Sequence, residues 1–190
     1  MKKQSEINKN LLCAENNVNS LNYENLAMTI LSKKTEGTNF SAITTDIKSS
    51  NISAIVTLNV AYILKKHNKN VLVINLDTQS QAINNLLVAS NDNEKIVNYK
   101  EIDVLLPSSA DLFCGMQLED LKNKFSEYDF VIFCVPSPKY STNYLALPKS
   151  VDFYILINRF FSSYFAANKC LDLLDTAEQN IVGSVYIKIK

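Results

Sequence analysis

Long apolar runs are missing from this chain, and so is any excess of charge. Nowhere do about 20 consecutive apolar residues occur, the length a helix needs to span a bilayer, and the opening MKKQSEINKNLLCAENNVNS carries lysines without an apolar stretch of signal-peptide length. These absences predict a cytoplasmic protein with no direct membrane span, any role at the inner face of the membrane coming through a partner or a surface segment. Lys and Arg number 19 and Asp and Glu number 19, which leaves no basic excess for a dedicated nucleic-acid binder. Cys13, Cys114, Cys134 and Cys170 are far apart and form no CxxC pair, and His67 is the single histidine, so zinc and a disulfide framework have no support in the sequence. Free buried thiols are expected, and His67, in KKHNKN, is expected solvated at a helix end, where it complements the dipole.

What is present is the content of one globular domain. In 190 residues, 47% are hydrophobic and the mean hydropathy is −0.03, enough for a sizeable core. The first 20 or so residues are rich in Asn, Lys and Glu without periodicity and read as a mobile polar tail; residues 21–190 form the domain. A helix is expected over Tyr23 to Lys33, with a turn at Gly37. Strands are expected at Ser41 to Thr45, Val71 to Asn75, Asp103 to Leu106, Phe130 to Val135, Phe153 to Ile157 and Ser184 to Ile187. Helical stretches at Ser53 to Lys66, Ser80 to Val88, Gln117 to Ser126 and Ser162 to Glu178 alternate with them. Near-continuous apolar strands such as VLVINL and FVIFCV suit a parallel sheet covered on both faces. The expected fold class is therefore α/β, a doubly wound, mostly parallel sheet flanked by helices. Asn91 to Tyr99, NDNEKIVNY, reads as a short polar surface loop.

Glycine is scarce where one element order would want it most. SAITTDIKSSNISAIVTLNVAYIL, Ser41 to Leu64, has the layout of a phosphate-binding P-loop: apolar strand, polar loop, long amphipathic helix. Such a loop needs glycines for positive φ and close backbone approach, a lysine for the β and γ phosphates, and a Ser or Thr hydroxyl for magnesium. Asp46 to Ser53 contains no glycine, and its one lysine, Lys48, lies early in the loop.

Six landmarks in order make the sequence resemble the cytoplasmic domain of bacterial tyrosine kinases (BY-kinases) of capsule and exopolysaccharide assembly, within the MinD/ParA-like group of deviant P-loop ATPases. ENLAMTILSKK stands where that family has its N-terminal helix. LNVAYILKKHNKNVLVINLDTQSQAINNLL resembles the "NLA…GK-VLLIDAD-R-P" block, with Asn59, Ala61, Val71, Ile74 and Asp77 in register. EIDVLLPSSADLF resembles "L-VLPAG", EYDFVIFCVPSP resembles "YDYVIIDTPP", VDFYILINR resembles "VD-VLLVVR", and IVGSVYIKIK resembles "VLGVVLNR". The resemblance covers the chain from about Tyr23 to Lys190 and implies a P-loop NTPase-like fold.

The departures from the family pattern fall on its chemistry. Counting back from Asn59, Ser53 stands at the P-loop lysine, Ala54 at the magnesium-binding Ser/Thr, and Ser50 and Ile52 at glycines. Asn75 replaces the first aspartate of the second acidic motif, Asp77 keeps the second, Cys134 replaces the strand-end aspartate, and Ile187 replaces an asparagine that resembles an adenine contact. The degenerate loop is thus Asp46, Lys48, Ser49, Ser50, Asn51, Ser53 and Ala54, with Asn75, Asp77 and Cys134 at the acidic positions. Asp46 adds negative charge beside an incoming phosphate. Three readings stay open for the loop: a well-capped strand-to-helix turn, since its Asp, Ser and Asn residues are turn and N-cap formers; a weak anion site at a helix N-terminus; and an ATP site of unfamiliar geometry. The expectation is a pseudoenzyme with no catalytic residues, no cofactor and no metal, serving as a regulatory or scaffolding protein. Its partner would be a transmembrane polysaccharide co-polymerase or an active paralogue. An active tyrosine kinase using displaced residues such as Lys48 and Asp77, or an inactive MinD/ParA-like positioning protein, are the alternatives.

Two surfaces are candidates for contact. Phe160, Phe161, Tyr164 and Phe165, in NRFFSSYF, cluster at a strand end near the nucleotide face and suit either packing or partner binding, with Pro136 to Tyr140 beside them. The family's oligomerising helix carries a Glu-x-x-Arg-x-x-Arg pattern; here Glu24 is kept, but Ala27 and Ile30 take the arginine positions. Ring assembly by that motif is not expected, while homo-oligomers of another kind stay open. The apolar face Leu26, Ala27, Ile30 and Leu31 could pack on the protein's own sheet or on a partner. The tyrosine-rich tail in which BY-kinases autophosphorylate is not found in this sequence.

Overall fold

A computed structural model of the chain describes residues 18–34, 36–46, 50–77, 83, 95–107, 113, 116–147, 151–159, 164–178 and 180–187. In order, the elements are α1 (Val18–Ser32), β1 (Asn39–Thr45), α2 (Ser50–Lys66), β2 (Val71–Asn75), β3 (Lys95–Tyr99), β4 (Ile102–Leu106), α3 (Leu118–Lys124), β5 (Phe130–Cys134), β6 (Phe153–Arg159), α4 (Tyr164–Thr176) and β7 (Ile181–Ile187), with a short 3-10 turn at Asn143–Ala146. The strands form one seven-stranded sheet in the order β3-β4-β2-β5-β1-β6-β7. All pairings are parallel except β3 with β4. This is the expected doubly wound α/β sheet, with β1 at the interior between β5 and β6.

Two apolar layers hold the sheet. On one face Ile43, Val73, Val104, Ile132 and Ile155 pack under Ala27 and Ile30 of α1 and Ala54, Leu58 and Ala61 of α2. On the other, Phe40, Leu72, Ile74, Phe133 and Tyr154 pack with Leu121 of α3 and Leu174 of α4. The alternation within β1, Ile43 to one layer and Phe40 and Ala42 to the other, is the period-2 pattern of a strand buried on both faces. Phe113 meets Phe133 edge-on at 5.6 Å between ring centroids. α2 ends with Lys65 and Lys66 in its last turn, Asn68 at φ 58, and the Lys69 N–H donating to the Leu64 carbonyl at 3.2 Å. That is a Schellman-type stop in which asparagine supplies the left-handed residue. His67 is exposed there, as expected of a solvated helix-end residue.

Several boundaries differ from the sequence reading. α1 begins at Val18, inside the stretch assigned to a polar tail, and residues 1–17 lie outside the described residues. The loop expected over Asn91 to Tyr99 holds a strand: Lys95–Tyr99 pairs antiparallel with β4, Ile96 against Leu105 and Asn98 against Asp103. Its polar composition reflects an edge position, where charged and polar residues discourage pairing with another chain. β7 starts at Ile181, and its pairing with β6 is interrupted by a bulge where Ile155 meets Gly183. Of the helix expected at Ser80 to Val88, only Ile83 is among the described residues, helical and buried.

Tyr128 and Asp103 tie β4 to the β5 entrance. The Tyr128 hydroxyl donates to Asp103 Oδ2 at 3.1 Å, and burial, then the Asp103 carboxylate, pushes the phenol up to about 12. Asp129, held by Lys34 and by the Asn70 N–H, sits below the usual carboxylate range, chiefly through the Lys34 hydrogen bond. These contacts anchor the end of the sheet opposite the candidate site.

Candidate functional site

The parallel strands bring their C-terminal ends together around the β1–α2 connection. Cys134 of β5 is paired in register with Ile43 of β1 on one side and Asn75 of β2 on the other. The edge therefore collects Asp46 after β1, Asn75 and Asp77 at the end of β2, Cys134 at the end of β5, and the first turns of α2. In open α/β sheets this edge is where ligands bind.

α2 begins at Ser50, three residues before Ser53, so Ser50, Asn51 and Ile52 are helical. The sequence reading had the helix start at Ser53; the Ser and Asn residues that could cap it instead fit its first turn. Between the last residue of β1, Thr45, and Ser50 only four positions remain. Lys48 and Ser49 lie outside the described residues. Asp46 is buried, and its N–H donates to the Ile157 carbonyl at 3.1 Å, which ties the loop entrance to β6. Asn51 is half-buried, while Ser53 and Ala54 are fully buried.

Ser53 faces the sheet. Its hydroxyl and that of Thr57, one turn on, lie against the Cys134 thiol, with the Asp77 carboxylate close by. Burial pushes that thiol up to about 12, partly offset by Ser53 and Thr57 and reinforced by Asp77. The thiol is therefore neutral and unreactive at physiological pH. Among the described residues neither hydroxyl has a well-aligned hydrogen-bond partner, sulfur being a weak acceptor. Asn75 clamps the β2 exit: its Oδ1 accepts from the Asp77 N–H at 3.2 Å and its Nδ2 donates to the Asp77 carbonyl at 3.1 Å. Asp77 is itself buried. Asn143 Nδ2 adds a bond to the Leu76 carbonyl at 2.8 Å.

A second set of side chains meets here that the sequence does not bring together. The Ser137 hydroxyl lies 3.9 Å from the Cys170 thiol of α4. Burial pushes Cys170 up, Ser137 and Lys139 pull it down, and Asp46 pushes it up again. Asp46, Ser137 with Lys139, and Cys170 thus come from three separate stretches of chain. Only the sheet order brings them together, and no spacing in the sequence announces them. Among the described residues no group of three or more His, Cys, Asp or Glu could hold a metal ion.

The aromatic cluster resolves in part. Phe160 and Phe161 lie outside the described residues, and Tyr164 is the first residue of α4. Phe165 is 78% exposed, which sets it apart from a core residue. Of the segment beside it, Ser137 and Pro138 are buried and Tyr140 is exposed. In α1, Glu24 is exposed, whereas Ala27 and Ile30 are fully buried. That apolar face packs on the protein's own α2 and sheet. A groove of about 710 Å³ opens elsewhere, between α1, the start of α2 and β6–β7, and none of Asp46, Ser53, Asn75, Asp77 or Cys134 lines it.

No family model matches the sequence, and no curated protein matches it. Solved structures do. The chimerical protein CapA2B2 superposes with a TM-score of 0.75 at 14% identity, over 90% of this chain and 85% of that one. The BceF tyrosine kinase domain gives 0.71 at 15% identity, over 100% and 88%. The kinase domain of the Escherichia coli tyrosine kinase ETK gives 0.71 at 19% identity, over 88% and 75%. The chain has the P-loop NTPase-like fold of bacterial tyrosine kinase domains. No helix among the described residues is long and apolar enough to cross a membrane.

Proposed function

We propose that this protein is a catalytically degenerate BY-kinase-like domain that serves as a regulatory or scaffolding element of exopolysaccharide or capsule assembly, at the cytoplasmic face of the membrane. The observation that carries the reading is Ser53: at the position of the P-loop lysine, it is sealed between α2 and β5 against a neutral thiol. Magnesium nucleotide does not fit these residues. A helical first turn from Ser50 replaces the glycine cradle, Ala54 has no hydroxyl for the metal, Cys134 has no carboxylate, and Asp46 and Asp77 bring buried acids to the same edge.

Hydrogen bonds to charged groups contribute about 1.5–3 kcal/mol each. Loss of the lysine and one magnesium ligand therefore removes on the order of 3–6 kcal/mol, or ~10²–10⁴ in affinity. Phosphoryl transfer, which rests on positioning and cationic stabilisation, has neither here by the usual route. Isothermal calorimetry with ATP and magnesium at millimolar concentration is expected to show no binding, and the thermal midpoint should not move. A dissociation constant below about 100 μM, some 5.5 kcal/mol, would overturn the proposal and favour an active kinase with a displaced site.

The partner fitting this role is a transmembrane polysaccharide co-polymerase or an active paralogue, met at the strand C-terminal edge through Phe160, Phe161, Tyr164 and Phe165. Phe165 is exposed, and an exposed aromatic gives a large contact at low entropic cost. Phe165→Ser is expected to weaken co-purification of a detergent-solubilised co-polymerase by about tenfold or more, a loss of ~1.4 kcal/mol, with the melting curve unchanged. Undiminished capture would remove this edge as the contact surface.

A further inference from the structure

The two edges of the sheet are built differently. β3, at one end of the strand order, is five residues long, opens on Lys95, and runs into a charged turn at Lys100 and Glu101. A short edge strand with a lysine is guarded against pairing with another chain. β7, at the other end, is seven residues long, and IVGSVYI holds no charge and no proline. Among the described residues it pairs with β6 alone. Val182, Gly183, Ser184 and Tyr186 are exposed, Tyr186 at 63%. From Gly183 to Ile187 the register with β6 is unbroken, so this stretch offers alternate N–H and C=O groups to a further strand in regular geometry.

We propose that a second copy of this chain pairs at this edge, β7 against β7 in antiparallel sense, about a two-fold axis that joins the two sheets into one. An axis at Val185, the middle of the regular stretch, sets Ser184 of each copy opposite Tyr186 of the other, and these two exposed residues share one face of the strand. Val185, packed toward the layer of α1 and α2, meets its own counterpart, so the apolar seam of that layer continues across the junction. Charge favours the same sense of pairing. Asp175 and Glu178 are exposed on the approach to β7, and in the sequence Lys188 follows its last residue directly, with Lys190 two further on. Antiparallel pairing brings the acidic approach of each strand toward the basic continuation of the other, whereas parallel pairing sets like charge against like. The chain as a whole, with 19 basic and 19 acidic residues, offers no net repulsion to a copy of itself. Head-to-tail growth would require β7 of one copy to meet β3 of the next, and β3 carries the guard. The isologous pair uses the open edge twice and closes. The inference rests on the sheet edges alone and stands whether or not the strand-end site binds nucleotide.

Sedimentation equilibrium of the full chain from about 1 to about 200 μM tests this. Reversible conversion to twice the mass of one chain is expected; a single-chain mass throughout, or growth beyond two chains, would overturn the proposal. Tyr186→Lys, which gives β7 the guard that β3 already has, should raise the dimer dissociation constant by about tenfold or more with an unchanged melting curve. Ile96→Lys, at a position 45% exposed on β3, should leave that constant as it was. A dimer that resists Tyr186→Lys, or that yields to Ile96→Lys, is paired elsewhere and overturns the proposal. Hydrogen exchange of the unaltered protein gives a reading free of any substitution. Alternate amides between Gly183 and Ile187 should exchange several-fold more slowly at the upper concentration than at the lower, while those of β3 keep one rate. Amides of β7 that are indifferent to concentration would overturn it as well.

Discussion

Ala27→Arg combined with Ile30→Arg, which would write the kinase family's arginine pattern back into α1, is expected to abolish folding. Both positions are fully buried between α1, α2 and the sheet. An unpaired charge forced into such a layer is destabilising by about 3–5 kcal/mol, and two of them exceed much of the 5–15 kcal/mol that roughly holds a domain together. Circular dichroism on heating should show no cooperative transition. Glu24→Ala, at the exposed member of the same pattern, should stay within about 0.5 kcal/mol of the parent. A double-arginine variant that melts within a few degrees of the parent would mean that α1 can leave the sheet, and would reopen ring assembly through that helix. The structure thus gives α1 an inward task incompatible with the family's charged outward face.

The second large effect concerns an attempted repair. Ser53→Lys restores the lysine of the P-loop, and Cys134→Asp restores the strand-end acid, yet each places its charge where Ser53 and Cys134 have no exposed surface. Each single variant is expected to lose about 3–5 kcal/mol in urea unfolding, the range for an unpaired buried charge. The lysine would escape part of that loss by giving up its proton, its pKa falling through desolvation. The double variant should lose less than the sum, since the two new groups face one another, and it should still bind no ATP, because Ser50 to Ile52 remain helical. A double variant of parental stability that binds magnesium ATP tightly would show that the site is merely two substitutions from function and that its loop is still a cradle.

How far the sequence carries this structure depends on what each residue had to satisfy. β2 is found at Val71–Asn75 as read, because VLVIN is buried at every position and such a run has few other uses. β5, Phe130–Cys134, ends one residue short of the reading. β3 was missed for the opposite reason: on an edge, KIVNY exposes Ile96 and Asn98 and half-buries Val97 and Tyr99, so the apolar signal of a buried strand is absent. The early start of α1 has a similar origin, since VNSLN has no stripe. In the site, Ser53, Ala54, Asn75, Asp77 and Cys134 could be named because a resemblance supplied their positions. Thr57 was not named, and Ser137 and Lys139 of the Pro136 to Tyr140 segment could not be placed beside Cys170, since their neighbourhood is made by sheet order and not by spacing.

That sheet order also governs when the protein can exist. β1 leaves the ribosome first among the strands, yet its neighbours are β5 and β6: Ile43 waits for Cys134, and Thr45 for Ile157. The first delay is 91 residues (134 − 43) and the second 112 (157 − 45). At roughly 5–20 residues per second the first alone lasts about 5–20 s. Through that interval Phe40, Ala42 and Ile43 have no strand on either side, so β1 completes its sheet pairing only after β5 and β6 have been made.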